Sequence, residues 1–430
     1  MKCFKSAGSL AVFSLCALAM PFSFLGAAEV RTWMSTKGGT IEASFQKMEK
    51  ETVHLVKEDS KVIQVAFSEL SLGDRQYLVE EAELDEKMLF EQKLTVPEED
   101  FKFNKDTLKP HKKKMAFGPE THLQFKVLES EHFYIAYTGK FRPQALVEMA
   151  ERIWYGMAFN HQTFRENWGD RKKVIIVTDN DEVYESLGQY YTNWLRENTV
   201  GEEAAEGAAN RNELLWMKVV GNHLRLPEEQ REEYNAFATA SVLRIKDGND
   251  QGYKKVFGPF PTNQISAAVV GFQMGGMNGS APTGFFGLTR AHAYFKEIQL
   301  AKKSETTILD STAYRDDNQI TTARGFKDGR AWAKTLRKLV RKGDVKPNLE
   351  KFLLYASTNL TPTQLVLMYS FGYYVQSDLE KLDAYSELLR KVKADREVPE
   401  ASEIAEIFGF DSVQAFNESW TEFVKSSAFK

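Results

Sequence analysis

The sequence predicts an α+β protein of more than one domain, in which a small antiparallel β-barrel precedes a larger, mostly helical domain with a small N-terminal β-sheet. Three observations lead to this prediction. The chain has 430 residues, more than one ordinary domain holds. Apolar and polar residues alternate with a period of two near the N-terminus, as in half-buried strands. Beyond about residue 285, apolar residues recur at helical spacing.

The composition is that of a globular protein. Hydrophobic residues make up 43% of the chain and charged residues 27%, which excludes an intrinsically disordered protein. The formal net charge is −4 at pH 7. This balance gives no reason to expect nucleic acid or an acidic membrane surface as the main partner, so we expect no nucleic-acid binding.

Residues 1–28 have the layout of a secretory signal peptide. Lys2 and Lys5 precede an apolar run over about residues 10–25, and small residues end at Ala28. We therefore expect cleavage near Ala28 and an exported protein, either periplasmic or secreted. A retained membrane anchor is the alternative. No later segment approaches the roughly 18 apolar residues that a membrane span needs, so we expect no transmembrane segment after cleavage.

Both cysteines of the chain, Cys3 and Cys16, lie inside this leader. The processed protein is therefore expected to have no disulfide, no thiolate nucleophile and no thiolate metal site. Its stability must come from a hydrophobic core, which a chain of about 400 residues can bury.

The barrel is predicted over residues 29–80. Ile41, Ala43 and Phe45 alternate with polar residues, and turn residues follow at 58–60. This pattern indicates short antiparallel strands, and a capped helical turn is expected at the end of the unit.

One stretch of this unit reads RTWMSTKGGTIEASFQKMEKETVHLVKEDSKVIQVAFSELSLGDRQYL. It resembles the SH3-like domain that is named for its homology to a yeast endocytic adaptor. The specific marks are Arg31-Thr32-Trp33, the glycine pair, and Leu70-Ser71 followed by Asp74 and Tyr77. The resemblance implies a binding or spacer module. Trp33 is either a core aromatic or a residue that contacts a bound peptide.

Residues 81–120 are charged and irregular and are predicted to be a linker with one short helix near 80–92. From residue 121 the pattern changes to strand, helix, strand and helix, at about 132–137, 143–166, 174–178 and 181–195. Residues 200–212 are interpreted as an exposed insertion. Helices are then predicted at about 285–302, 328–342, 347–356, 361–376, 378–393, 400–409 and 411–425.

The order of elements over 121–430 is similar to that of peptidase-MA-like proteins, which belong to the thermolysin-like gluzincin group. Most of the likeness lies in the tail, which reads LTPTQLVLMYSFGYYVQSDLEKLDAYSELLRKVK and continues to a final helix with a tryptophan. The resemblance implies a zincin-like domain. In that family a central helix carries H-E-x-x-H, whose two histidines hold zinc while the glutamate activates water. A later glutamate supplies the third ligand.

This chain departs from the pattern at the positions that matter most. Leu288-Thr289-Arg290-Ala291-His292 stands where H-E-x-x-H is expected, so only His292 survives. Leucine has no lone pair, and threonine is no base at neutral pH. Asp328 stands where the third-ligand glutamate is expected. The resemblance therefore implies a degenerate site without zinc, unless distant residues rebuild it.

Three interpretations of His292 remain open. It is a core histidine left in a former cleft, a ligand in an unconventional metal site, or a general base without metal that Asp328 orients. A Ser-His-Asp arrangement would need Ser266 or Ser280, and neither lies in a G-x-S-x-G turn.

The sequence thus favours an exported, non-catalytic peptidase-like protein that binds or scaffolds a protein or peptide. Its cleft is expected to keep an aromatic lining, with Tyr294 and Phe295, beside Phe285 and Phe286, as candidate binding residues. Two alternatives remain. One is an active hydrolase with a metal-free or rebuilt site around His292, and the other is a structural envelope protein.

Overall fold

The computed structural model describes residues 29–36, 38–140, 142–218, 221–244, 257–276, 282–306, 329–356 and 360–430. It is an α+β structure with an N-terminal antiparallel sheet, a second, mixed sheet and a mostly helical remainder. The predicted leader at 1–28 lies outside the described residues, as do Ser280 and Asp328. None of the helices in the described part is long and apolar enough to cross a membrane.

The first sheet has four antiparallel strands in the order β1-β2-β3-β4. They are β1 (Val30–Met34), β2 (Thr40–Glu49), β3 (Thr52–Val56) and β4 (Val62–Ala66). An antiparallel bridge between Ser35 and Leu70 returns the chain after β4 to the end of β1. Trp33 is 1% exposed, and its indole N–H donates to the Ala43 carbonyl at 2.8 Å. Trp33 is therefore a core residue, and its ring is not accessible to a peptide.

Helix α1 (Leu72–Glu81) follows the barrel and fixes it to the rest of the protein. The carboxylate of Asp74 is fully buried. It accepts hydrogen bonds from the Met34 N–H at 2.7 Å and the Ser71 hydroxyl at 2.7 Å. It also pairs with Arg31 at 3.2 Å and with Arg165 at 2.5 Å. Because Arg165 belongs to the larger domain, one buried carboxylate joins the two units.

The segment 81–120, predicted as a linker, is packed into the fold. It contains α2 (Lys87–Phe90), α3 (Pro97–Asp100), β5 (Lys109–Pro110) and β6 (Met115–Ala116). The sequence pattern does not indicate this packing, because the buried contacts come from single apolar residues that lie between charged ones. Leu89, Met115 and Phe117 are buried, and so is Glu98.

The second sheet has seven strands in the order β10-β11-β9-β8-β7-β5, with β6 paired to β7. Strands β8, β9 and β11 are parallel, and the other pairs are antiparallel. The remaining strands are β7 (Gln124–Glu129), β8 (Phe133–Tyr137), β9 (Lys173–Thr178), β10 (Gly221–Arg225) and β11 (Thr239–Arg244). The strands predicted at 132–137 and 174–178 agree with β8 and β9.

The helices between these strands are α4 (Pro143–Asn160), α5 (Phe164–Trp168), α6 (Asp181–Asn198), α7 (Glu202–Lys218) and α8 (Glu228–Glu233). The helix predicted to reach about residue 166 ends at Asn160 and resumes as α5, because Thr163 adopts a left-handed conformation. Residues 200–212, interpreted as an exposed insertion, lie largely in α7.

The C-terminal half is helical. Its helices are α9 (Pro259–Gln273), α10 (Phe285–Ala301), α11 (Gly329–Lys342), α12 (Leu349–Leu353), α13 (Pro362–Tyr374), α14 (Leu379–Asp395), α15 (Ala401–Ile407) and α16 (Val413–Lys425). Side-chain caps at Thr361, Asp378 and Ser412 start α13, α14 and α16 where the sequence places them. Helix α9 was not predicted, because it is buried on nearly all sides and its sequence therefore lacks the periodic apolar and polar faces of a surface helix.

One hydrophobic core runs from the barrel through α4 into the C-terminal helices and includes Trp33, Ile153 and Leu389. A second cluster, which includes Tyr184 and Trp216, contains inward residues of the mixed sheet and of α6 and α7. The barrel therefore shares its core with the larger domain.

Helix α10 lies at the centre of the first core and packs against α9 and α13. The approach to α13 requires Gly372, because a Cβ atom there would lie 2.1 Å from the Ala291 carbonyl oxygen. Such a contact is impossible without moving one helix.

We expect Gly372→Ala to lower the free energy of unfolding by about 1–3 kcal/mol, because the two helices must separate to admit the methyl group. Gly207→Ala is the matched control: Gly207 is also helical, and nothing lies within 4 Å of its added Cβ. That change should raise stability by about 0.5–1 kcal/mol through helix propensity. Urea denaturation measures both, and equal effects would contradict the close packing.

Candidate functional site

His292, the candidate site residue from the sequence, lies inside the protein on α10 and is 1% exposed. Its Nδ1 atom is 3.4 Å from the Gln376 amide nitrogen and 3.4 Å from the Tyr385 hydroxyl. The imidazole and the Tyr385 ring stack with centroids 6.0 Å apart. The Nε2 atom has no hydrogen-bond partner among the described residues.

A buried ion pair lies one turn further along α10. The Lys296 ammonium is 2.6 Å from a carboxylate oxygen of Glu98, and both side chains are almost fully buried. Glu98 belongs to α3, in the segment predicted as a linker. Gly156 makes room for it, since a Cβ there would lie 2.2 Å from the carboxylate. The pair thus ties this segment to the central helix.

A second histidine, His161 at the end of α4, is buried near the same tyrosine, with its ring 5.8 Å from that of Tyr385. Burial lowers the pKa of His161 to about 3, and the nearby cations Lys296 and Arg390 add to the effect. Burial, Lys296 and His161 also hold the pKa of His292 well below its usual range. Both imidazoles are therefore neutral at pH 7.

A further polar cluster, missed in the sequence, lies around Glu297 on α10. This carboxylate is fully buried and accepts hydrogen bonds from the Asn263 amide at 2.9 Å, the Glu305 N–H at 2.8 Å and the Thr306 hydroxyl at 3.0 Å. Arg290 donates to the Asn263 carbonyl oxygen at 3.3 Å. Burial raises the pKa of Glu297 to about 7 despite these hydrogen bonds. The sequence feature that could have indicated this cluster is the presence of polar residues such as Asn263 among the apolar residues of α9.

Leu288 and Thr289, which the peptidase resemblance aligns with the first metal ligand and the base, are packing residues. Leu288 is fully buried, and the Thr289 hydroxyl donates to the Phe285 carbonyl at 2.8 Å. Within the described ranges, no group of three or more His, Cys, Asp or Glu side chains is placed to hold a metal ion. The predicted partnership of His292 with Asp328 lies outside the described residues.

The aromatic residues predicted to line a cleft belong to the core instead. Tyr294 is fully buried, and its hydroxyl donates to the Thr306 carbonyl at 3.0 Å. Phe295 is also buried and packs on Tyr373, with ring centroids 5.1 Å apart. The Tyr294 ring contacts Trp332 of α11, with centroids 5.6 Å apart, so both rings face neighbouring helices. Ser266 is buried as well.

An open groove lies on the barrel, beside the start of β2 and the turn between β3 and β4. Its volume is about 590 Å³, and its lining residues are Thr40, Ile41, Glu42, Lys57, Glu58 and Asp59. Three acidic side chains therefore face one lysine. This groove is accessible to a ligand, in contrast to the surroundings of His292.

The four antiparallel strands, the returning bridge to β1 and the short α1 define an SH3-like N-terminal domain. In agreement, residues 24–86 match the family model of SLA1 homology domain 1, SHD1. The SH3-like prediction for residues 29–80 is thereby confirmed. No curated protein and no solved structure matches the chain.

We expect the buried histidines to make the protein less stable in acid. A pKa of about 3 for folded His161, against 6.5 when unfolded, means that its stabilising effect is complete above pH 6.5. The effect is lost as the pH falls toward 3, because the unfolded state binds the proton first. The loss amounts to about 1.4 kcal/mol per pH unit. In urea denaturation at several pH values, His161→Asn should flatten this dependence by that amount.

The pH dependence of stability must be compared between variants, because Glu297 changes the free energy of unfolding in the opposite direction. Its raised pKa means that the folded state binds a proton more tightly, so its contribution rises as the pH falls through 7. His122→Asn changes an exposed histidine and serves as the control. An unchanged slope in the His161 variant would show that this imidazole takes up a proton in the folded state.

Proposed function

We propose that the protein is an exported, non-catalytic relative of zinc peptidases that binds a protein or peptide. The observation that carries this proposal is the core packing at the decisive motif positions. Leu288 is fully buried, Thr289 is engaged with a backbone carbonyl, and His292 lies against Gln376 and Tyr385. A catalytic metal needs three protein ligands and an open position, and the described residues around His292 include no such ligand set.

The peptidase-like part of the proposal is supported by the order of elements. The likeness to peptidase-MA-like proteins rests on a strand, a helix, a second strand, a histidine-bearing helix and a helical tail. Helices and strands occur here in that order as β8, α4, β9, α10 and α11 to α16. The leader-like residues 1–28 support export.

The binding part of the proposal comes from the N-terminal domain, since SH3-like domains generally bind peptides. Trp33 is a core residue, so binding falls on the exposed barrel groove. Glu42, Glu58 and Asp59 outnumber Lys57 in its lining. Opposite charge guides association and fixes register, so a basic peptide suits this groove.

The alternative of a hydrolase centred on His292 has less support. A general base must come within about 2.6–3.2 Å of the proton it removes. His292 is covered by protein, so a substrate would reach it only after the helices separate. A purely structural envelope role differs from the proposal in predicting no saturable peptide binding.

We expect a fluorescein-labelled lysine-rich peptide to bind the full chain, and Glu42→Lys with Glu58→Lys to weaken binding about tenfold by reversing the groove charge. Fluorescence anisotropy measures the affinity. Glu202→Lys with Glu203→Lys, on the exposed first turn of α7, makes the same charge change elsewhere and should leave the affinity within about twofold. Equal losses in both double variants would argue against the groove.

We also expect the purified chain to contain far less than one zinc ion per molecule and to cleave no peptide or ester in a broad panel. The reason is that leucine and threonine replace the ligand and the base. Elemental analysis and hydrolysis assays, with His292→Ala as the reference, check this. One tightly held zinc ion, together with chelator-sensitive hydrolysis that His292→Ala abolishes, would overturn the proposal.

A further inference from the structure

Helix α11 carries a high density of positive charge. Its 14 residues contain no acid and six cations, which are Arg330, Lys334, Arg337, Lys338, Arg341 and Lys342. Like charges three or four residues apart on a helix repel each other. The helix dipole favours cations in the last turn alone, so it accounts for Arg341 and Lys342 and not for the others.

This charge is not neutralised within the part of the chain that the structure describes. There, Lys334, Lys338 and Lys342 are exposed and form no ion pair with an acidic side chain. Arg337 and Arg341 donate to backbone carbonyls near the C-terminus, Arg341 to that of Lys425 at 2.6 Å. The whole chain has a formal net charge of −4, so the surface around α11 differs sharply from the average.

The end of α11 opens into a groove of about 950 Å³, formed with the following loop, α12 and α16. Four cations without an acidic partner among the described residues line it: Arg341, Lys342, Lys346 and Lys351. The groove also has an apolar lining, contributed by Val340, Val345, Pro347 and Val413. A ligand that carries both acidic and apolar groups can contact both parts of this lining.

One acid in the groove is paired with a cation, and a second accepts a hydrogen bond from a neutral amide. The Lys425 ammonium lies 2.8 Å from Glu422, and the Gln414 amide donates to Glu418 at 2.8 Å. The amide of Asn417 and the hydroxyl of Thr421 lie on the same wall. Among the described residues, the groove therefore has more unpaired cations than unpaired acids, together with neutral hydrogen-bonding groups.

We infer that this groove, which we name the α11–α16 groove, binds an extended acidic polypeptide segment of a partner protein. Carboxylates of the segment would pair with Lys342, Lys346 and Lys351, and its apolar side chains would cover the valines. Glu350, Glu418 and Glu422 also line the groove, so its cations are interspersed with acids. A polypeptide whose carboxylates alternate with neutral side chains can place its charges at the cations, whereas the continuous negative charge of a lipid surface or a phosphate backbone also meets the acids. This inference concerns a surface separate from the barrel groove and does not rest on the proposed function.

The test uses the full chain and a short fluorescein-labelled peptide in which glutamate alternates with leucine. We expect saturable binding in fluorescence anisotropy that Lys342→Glu with Lys346→Glu weakens about tenfold. Replacing the glutamates of the peptide by glutamine should weaken binding to the unchanged protein by a similar factor, and this arm does not depend on the folding of any variant.

Lys334→Glu with Lys338→Glu is the matched control, since both lysines are exposed on α11 and outside the groove lining. It should leave the affinity within about twofold at physiological salt. Equal losses in the two double variants, or tight binding of the glutamine peptide, would overturn the inference. Sedimentation with phosphatidylglycerol vesicles without binding of the acidic peptide would overturn it as well, in favour of a membrane surface.

Discussion

The need to pair polar groups that are buried on the central helix governs the packing of this protein. Helix α10 lies between α9 and α13, yet it carries His292, Lys296 and Glu297 in the interior. Burying a polar or charged group without a hydrogen-bonding partner costs free energy, most of all for a charge, so each of them draws a partner from another element. Glu98 comes from α3 to meet Lys296, and Asn263 comes from α9 to meet Glu297.

The same constraint explains why the SH3-like domain is part of a continuous structure. Asp74 is buried at the junction and needs both Arg31 and Arg165, one from each unit. Its amide and hydroxyl partners, Met34 and Ser71, fix the entry into α1. The orientation of the barrel follows from these contacts, and with it the side of the barrel that stays free to meet a ligand.

His292 and its neighbours on α10 are core residues, so the ligand binding that we propose falls on the outer surface. The two open grooves differ in charge, since the barrel groove is mostly acidic and the α11–α16 groove is rich in cations. A protein with two surfaces of opposite charge is suited to hold two different segments, or two partners, at once. This arrangement is compatible with a scaffold and requires no chemistry at His292.

The sequence by itself determined the barrel, because the alternation of apolar and polar residues and the family-specific residues Trp33 and Asp74 are local features. It also determined most C-terminal helices, because helix caps and apolar spacing are local as well. It also determined that Leu288 and Thr289 cannot act as ligand and base, since that follows from side-chain chemistry. Only the tertiary structure decided that Tyr294 and Phe295 are core residues and that Glu98 belongs to the interior. Burial and pairing depend on which distant elements meet, and no spacing within one segment records that.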